Sequence, residues 1–307
     1  MRGFITDPDA PGGLRLAEDL PEPEPSEDEL IVEVRAYGIN RGETYLLQQR
    51  PQDWRPGQDV SGVVVRAATG GNGGPPEGSR VVAVVDGAGW SERAGAPLDR
   101  VAALPDAVSF EQAASLPIAG LTALRALRTG DPLLGRRVLI TGATGAVGQF
   151  AVQLAIAAGA RVTAQVSGPE REEQARALGA HEVAVSLDDE RLGPFDLALD
   201  GVGGDVLRQA VHRLAPGATA ATYGTMTGPA ELGMSDFSGA PLAKVMGFFH
   251  HIPEDERGAD LATLAGFVAD GSLDPLLGVV RDWRETREVL DDLRERRIRG
   301  KVVLTVG

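Results

Sequence analysis

The sequence contains no cysteine. Without thiols the chain cannot form disulfides, hold zinc through thiolates or use a cysteine nucleophile. Basic residues are also outnumbered, and the formal net charge is −14. This balance argues against nucleic acid and anionic membrane surfaces as partners, because both favour basic patches. It does not exclude an anionic cofactor, since a local set of backbone N–H groups can hold a phosphate on an acidic protein.

Long apolar runs are missing as well. The most apolar stretch, 146–160, is too short to span a membrane and contains Gln149 and Gln153. No secretion signal is visible at the start, so we expect a cytoplasmic protein. The 307 residues, of which 43% are apolar and 24% charged, have the composition of a globular chain. Their number predicts two domains.

Short apolar runs separated by Pro- and Gly-rich turns dominate the first part of the chain, up to residue 115. The runs are Leu30–Val34, Val60–Val65 and Arg80–Val85. Strands of this length with such turns predict a barrel or a sandwich.

The pattern changes at Ser109, where a capped helix begins and apolar strands then alternate with helical segments. This alternation predicts a βαβ series with a parallel sheet. A charged helix, 283–296, and a last strand, 301–306, are predicted to rejoin the first domain. We therefore predict an α/β protein with a β-rich domain of residues 1–117 and 274–307 and a doubly wound domain of residues 118–273.

The segment Arg137–Gly148 places a strand, a glycine-rich turn and a helix start in the order that dinucleotide-binding sites require. Gly142 and Gly145 let the backbone approach a pyrophosphate, and Gly148 lets the helix pack closely on its strand. The helix N-terminus supplies free N–H groups and partial positive charge. The alternative is a tight turn that binds nothing. Predicted cofactor contacts here are Gly142, Ala143, Thr144, Gly145, Ala146, Val147 and Gly148.

The end of the next strand bears on the choice of cofactor. In NAD-binding sites an acidic residue there binds the ribose 2′-hydroxyl. Here the strand is followed by Ser167-Gly168-Pro169-Glu170-Arg171. No carboxylate stands at the strand end, whereas Ser167 and Arg171 can bind a 2′-phosphate, which favours NADPH. Glu170 lies close by, and Arg171 has the alternative of a solvated helix residue.

Other segments carry a family resemblance, in the order Tyr37–Arg41, Pro56–Val64, Gly78–Val81, Leu104–Phe110, Ala113–Leu124, Asp196–Gly204 and Gly300–Leu304. With the glycine-rich turn, they resemble the zinc-independent quinone oxidoreductase-like branch of the medium-chain dehydrogenase/reductase superfamily over nearly the whole chain. The resemblance implies a GroES-like substrate domain split around a Rossmann domain, with the active site in the cleft between them. It also implies a homodimer.

Metal-using members of that superfamily carry a Gly-His-Glu ligand run where this chain has Gly57-Gln58-Asp59. Their cysteine ligands are absent too. The four histidines are His181, His212 and the adjacent pair His250-His251, whose side chains should diverge if they extend a strand. We expect no zinc. Asp59 has two alternatives, substrate binding or a salt bridge within the barrel.

Without zinc, hydrogen-bond donors must stabilise the oxyanion or enolate that forms when a substrate accepts hydride. The resemblance points to Asn40 as an amide donor and to Tyr45 as a hydrogen-bond or proton donor. The alternatives are a helix-capping role for Asn40 and a packed aromatic for Tyr45. Trp54 either lines the pocket or plugs the domain surface.

The resemblance implies further cofactor contacts, which are Thr122, Gly201, Val202, Gly203, Tyr223, Gly224, Phe248 and Phe249. The two phenylalanines have the alternative of ordinary sheet core. The chain is thus predicted to be an NADPH-dependent reductase of a quinone, enone or similar small molecule. The alternative is a non-catalytic NADPH-binding sensor or scaffold.

Overall fold

The computed structural model describes residues 1–70, 73–249 and 257–307. Its strands are β1 Gly3–Thr6, β2 Leu14–Ala17, β3 Glu29–Ile39, β4 Asp59–Arg66, β5 Arg80–Val84, β6 Arg93–Pro97, β7 Val101–Ala103, β8 Arg137–Ile140, β9 Arg161–Gln165, β10 Glu182–Ala184, β11 Phe195–Asp200, β12 Leu214–Thr222, β13 Lys244–Gly247, β14 Leu277–Asp282 and β15 Lys301–Thr305. Its α-helices are α1 Arg41–Gln49, α2 Phe110–Ala114, α3 Pro117–Leu127, α4 Ala146–Ala157, α5 Glu172–Ala177, α6 Gly204–His212, α7 Arg257–Ala269 and α8 Thr286–Arg294.

The chain divides into two compact units. One contains residues 1–121 and the described residues from 257 onward, and the other contains the described residues of 122–249. Each has its own apolar core, as expected of separate domains.

The second unit is built on a six-stranded sheet with the order β10-β9-β8-β11-β12-β13, in which every neighbouring pair is parallel. The central strands β8 and β11 are apolar and almost wholly buried, as strands covered on both faces must be. The predicted doubly wound parallel sheet is confirmed.

The first unit has a seven-stranded sheet that runs β14-β15-β3-β4-β5-β7, with β6 also paired to β3. The pairs are antiparallel except β14–β15. Its apolar core contains two stacked aromatic rings, those of Tyr37 and Trp90, whose centroids lie 5.9 Å apart. The predicted β-rich domain is confirmed, and β15 returns to it by pairing with β3.

Helix α7 belongs to the first unit, although the boundary predicted at residue 273 places it in the other domain. It packs on β7 so closely that a Cβ at Gly258 would lie 2.7 Å from the carbonyl oxygen of Val101. An apolar helical stripe predicts that one face is covered but not which element covers it.

None of the helices in the described part of the chain combines the length and the apolar composition that a membrane span requires.

Candidate functional site

The glycine-rich turn between β8 and α4 is a tight loop at the carboxyl end of the parallel sheet. Gly142 has a φ of +60°, a conformation that favours glycine. A Cβ at Gly148 would lie 2.7 Å from the Cα of Ala143, so α4 can approach the turn this closely only with glycine there. Gly145 is the N-cap of α4, and no side chain caps the helix. The first-turn N–H groups are therefore left for an anionic ligand.

Gln165 ties this turn to the neighbouring strand β9. The N–H of Gly142 donates to the side-chain Oε1 of Gln165 over 3.2 Å, and the N–H of Ala143 donates to its carbonyl oxygen over 3.0 Å. The Gln165 amide itself donates to the carbonyl oxygen of Val166 over 2.8 Å. Two N–H groups of the turn are thus used inside the protein, which leaves the start of α4 to bind phosphate.

Asp200, the last residue of β11, joins three strand ends. Its buried carboxylate accepts hydrogen bonds from the hydroxyls of Thr141 at 2.6 Å and Thr222 at 3.1 Å. It also accepts from the N–H of Gly203 at 3.0 Å. The carboxylate therefore orders the loops after β8, β11 and β12 and does not stand free to act as a base.

The loops after β11 and β12 pack on each other and on the glycine-rich turn. The ring of Tyr223 covers Gly201, where a Cβ would lie 2.7 Å from ring carbon Cε2. Burial and the nearby Asp200 carboxylate raise the pKa of Tyr223, which keeps its phenol protonated. A Cβ at Gly142 would lie 3.1 Å from the Cγ2 of Val202. The structure thus brings together the predicted contacts Gly201, Val202, Gly203, Tyr223 and Gly224.

Arg171 reaches the same turn from the segment after β9. Its Nη1 donates to the hydroxyl of Thr144 over 3.3 Å, and its Nε lies 3.9 Å from Oε1 of Glu170. Ser167 is exposed at the end of β9. Arg171 is therefore held at the turn, which does not match the alternative of a freely solvated side chain.

The remaining predicted cofactor contacts lie on other elements. Thr122 is buried in α3. Phe248 follows β13, and its N–H continues the sheet by donating to the carbonyl oxygen of Thr222 over 2.7 Å. Phe249 is 63% exposed, so it does not take the alternative role of sheet core.

In the first unit, Asn40 is the N-cap of α1 and stands beside two carboxyl groups. Its N–H donates to Oε2 of Glu43 over 2.8 Å. Its side-chain Nδ2 donates to Oδ2 of Asp59 over 2.8 Å and lies 3.4 Å from Oε2 of Glu43. Asn40 therefore holds the N-cap position, but its side chain does not cap the helix, because its amide hydrogens are directed at carboxyl oxygens.

Asp59 and Lys301 form an ion pair in which both side chains are fully buried. The Lys301 Nζ donates to Oδ2 of Asp59 over 2.6 Å and to Oδ1 of Asn40 over 2.5 Å. The other oxygen of Asp59 accepts from the N–H of Ile118 at 2.9 Å. A Cβ at Gly38 would lie 2.7 Å from Oδ2 of Asp59, so glycine makes room for the pair. Of the two alternatives for Asp59, the structure shows the salt bridge.

Glu43 is the second carboxyl-bearing member of this cluster. Burial, together with the repulsion of Asp59, raises its pKa from 4.5 to about 8. Its Oε1 is buried and has no hydrogen-bond partner within the described residues. The carboxyl group is therefore protonated at neutral pH, which leaves one negative and one positive charge in the cluster.

Tyr45 lies on the outer face of α1. The helix buries Glu43 and Leu47, whereas Tyr45 is 60% exposed. The alternative of a packed aromatic does not match this exposure. Trp54 is half-buried against the core of the first unit, under the guanidinium of Arg50, which lies 5.3 Å from the ring centroid.

A zinc ion does not fit beside Asp59, because the ammonium group of Lys301 occupies that position and the carboxylate already accepts from three donors. Within the ranges described above, no three His, Asp or Glu residues are arranged to hold a metal. His212 is exposed and lies 2.6 Å from Asp236. The pair His250-His251 lies outside the described residues.

The sequence analysis assigns no role to three residues of these clusters, which are Glu43, Gln165 and Lys301. The Asn-x-x-Glu spacing at Asn40 is that of a capping box and was a usable signal for Glu43. Nothing local pointed to Lys301, which is 242 residues from Asp59.

Comparison with known proteins finds similarity to oxidoreductases. Residues 146–264 match the family model of zinc-binding dehydrogenases. The quinone oxidoreductase of Pongo abelii is 35% identical over 182 residues, which are 56% of this chain and 54% of that protein. The trans-enoyl reductase tazE of Aspergillus terreus is 36% identical over 200 residues, covering 56% of this chain and 65% of that protein. The chain thus matches only about half to two thirds of these relatives' lengths.

A solved structure extends the similarity to the whole chain. Mycobacterial Rv1454c complexed with NADPH has a TM-score of 0.87 and 27% sequence identity, and the match covers 99% of both chains.

Proposed function

We propose that the chain, a quinone oxidoreductase-like member of the medium-chain dehydrogenase/reductase superfamily, reduces a quinone, enone or similar small activated molecule. It would do so with NADPH and without zinc. The observation that carries the proposal is the uncapped start of α4 beside the Arg171–Thr144 contact. The names of the two curated relatives, a quinone oxidoreductase and an enoyl reductase, support the substrate class.

Diphosphate binding is supported by the glycine-rich turn. Gly148 leaves no room for a Cβ, Gly142 has a positive φ that favours glycine, and Gln165 holds the turn in place through Gly142. A helix start that no side chain caps attracts an anion through its N–H groups and its dipole. Both features fit a dinucleotide.

The preference for NADPH rests on Arg171. Its guanidinium is held at the turn by Thr144 and is only loosely paired with Glu170, at 3.9 Å. A guanidinium binds a phosphate through two parallel hydrogen bonds, which makes it suited to the 2′-phosphate that NADH lacks. Ser167, exposed at the strand end, can add a hydroxyl donor.

The cofactor supplies hydride, and the protein must stabilise the negative charge that then develops on the substrate oxygen. Asn40 has a side-chain hydrogen that is held only over 3.4 Å by Glu43. Tyr45, on the helix that begins after Asn40, is 60% exposed. We assign hydrogen-bond donation to Asn40 and proton or hydrogen-bond donation to Tyr45.

The test has two parts. Calorimetry should give a lower Kd for NADPH than for NADH, and NADPH absorbance should fall in the presence of at least one member of a panel of quinones, enals and enones. Tighter binding of NADH would overturn the cofactor assignment. Tight NADPH binding without turnover across the panel would favour a sensor or scaffold and overturn the enzyme assignment.

A further inference from the structure

The chain uses lysine only twice, at Lys244 and Lys301, among 30 Lys and Arg residues. Lys244 is exposed, whereas Lys301 is fully buried at the ion pair with Asp59. An ammonium group is a compact charge on a flexible stem, whereas a guanidinium is wide and planar. Apart from the exposed Lys244, the buried position is therefore the place where this chain uses a compact ammonium group instead of a guanidinium.

The ammonium group determines how the Asn40 amide is oriented. Because lysine has only donors, the atom 2.5 Å from its Nζ must be the acceptor oxygen of Asn40. The amide nitrogen then faces Asp59 at 2.8 Å and Glu43 at 3.4 Å. A flipped amide would set two donors against each other at Lys301 and two acceptors against each other at Asp59.

The two amide hydrogens of Asn40 are held unequally. The one directed at Asp59 makes a short bond to a charged acceptor, whereas the one directed at Glu43 lies beyond the usual hydrogen-bond distance. The Glu43 oxygen concerned already accepts from the backbone N–H of Asn40 at 2.8 Å. The second hydrogen is thus the one left for another acceptor that lies along its direction.

We propose that Lys301 is a positioning residue, whose ammonium group fixes the Asn40 amide so that its loosely held hydrogen is available to the substrate oxygen, and that Glu43 competes for this same hydrogen. The inference rests on the proposed function, because it requires Asn40 to contact the substrate.

The competition by Glu43 depends on pH. The groups around it are Asp59 on β4, Lys301 on β15 and, on β3, the phenol of Tyr37, whose pKa is raised by burial. Glu43 itself has a pKa of about 8. Above that pH the carboxylate becomes a stronger acceptor and the cluster gains a second negative charge. Turnover should therefore fall as pH rises through this value.

The first experiment observes the cluster without relying on activity. Lysine labelled with ¹³C and ¹⁵N should give two side-chain signals in the full-length protein, and Lys244→Arg assigns them. The Lys301 signal should shift with a midpoint near pH 8, the pKa of Glu43, and this shift should be missing in Glu43→Gln. A Lys301 signal that does not respond to pH around this midpoint, or that responds equally in Glu43→Gln, would overturn the coupling.

The second experiment measures catalysis. Lys301→Met should lower kcat about 100-fold, the cost of a misplaced catalytic group, while the Kd for NADPH changes by less than about twofold. Lys244→Met is the matched control and should match the wild type. If Lys301→Met does not fold because Asp59 is left unpaired, the double variant Asp59→Asn/Lys301→Met removes both charges and should show the same loss. A kcat within about twofold of the wild type in either folded variant would overturn the inference.

The two proposals fail in different ways. If the wild type reduces no member of the panel with NADPH, the proposed function fails. If the wild type is active and removal of Lys301 leaves kcat unchanged, only the positioning role fails.

Discussion

The guanidinium of Arg171 and the hydroxyl of Thr144 are joined by a hydrogen bond of 3.3 Å, which links the segment after β9 to the glycine-rich turn. Arg171 is therefore held in place before any ligand arrives. A pre-positioned cation loses less side-chain freedom on binding an anion than a mobile one does.

Arg171→Ala should weaken NADPH binding about 10- to 100-fold, since a hydrogen bond to a charged group contributes about 1.5–3 kcal/mol. NADH binding should change by less than about twofold, because NADH has no 2′-phosphate. Calorimetry with both cofactors measures this. The matched control is Arg176→Ala on α5, where the arginine pairs with Glu172 at 3.3 Å. An equal loss of affinity for both cofactors would contradict the assignment.

Gly148→Ala should abolish or severely weaken cofactor binding. The new Cβ meets the turn at Ala143, so α4 must move away, and such overpacking costs about 1–3 kcal/mol of stability. Gly266→Ala is the control, because Gly266 lies within α7 and a Cβ there meets nothing within 4 Å. A thermal shift assay with and without NADPH measures both effects. Normal stabilisation of Gly148→Ala by NADPH would show that the turn tolerates the methyl group.

Glu43 should make the protein less stable as pH rises. Its pKa is 4.5 ordinarily and about 8 in the folded protein, so the folded state binds the proton more tightly than the unfolded state. The free energy of unfolding should therefore be largest at and below the ordinary pKa, fall between these two values and level off above the higher one. The loss is a few kcal/mol in all, at about 1.4 kcal/mol for each pH unit in that window.

Urea unfolding at a series of pH values measures this effect. Glu43→Gln should lack the Glu43 part of the slope, whereas Glu77→Gln, at an exposed position, should keep it. Identical pH profiles for Glu43→Gln and the wild type would show that Glu43 is not protonated in the folded protein.

Asn40→Ala should lower kcat about 100-fold, which is the typical loss when one donor to a developing oxyanion is removed. Tyr45→Phe should have a smaller effect, about 10-fold, if its hydroxyl only assists. Affinity for NADPH should be retained in both variants, because these residues lie in the first unit. Stopped-flow measurement of NADPH oxidation gives the hydride-transfer rate directly. Unchanged turnover in both variants would remove the two residues from the mechanism.

The sequence was informative where the signal is local. The glycine-rich turn was predictable because one strand, three glycines and one helix stand within a short segment. The structure gives Gly142 a positive φ and packs Gly148 directly against the turn. The alternation of strands and helices predicted the parallel sheet in the same way. The last strand also returned to the first unit as predicted, by pairing with β3.

The rest depends on contacts between distant residues. Lys301 and Asp59 come together only after two separate parts of the chain join one sheet, so neither residue signals the other in sequence. The raised pKa of Glu43 likewise follows from burial among these groups, and a capping glutamate on a solvated helix would look the same in sequence.

The pairing of β15 with β3 also has a consequence for how the chain is made. The six-stranded sheet is formed by one continuous stretch, 137–247, whereas the seven-stranded sheet needs residues from both sides of it. During synthesis on the ribosome, the parallel sheet can therefore assemble before β15 has been made and can pair with β3. The exposed edge of β3 is then a site for mispairing in the nascent chain, and covering it during translation is a task suited to a chaperone.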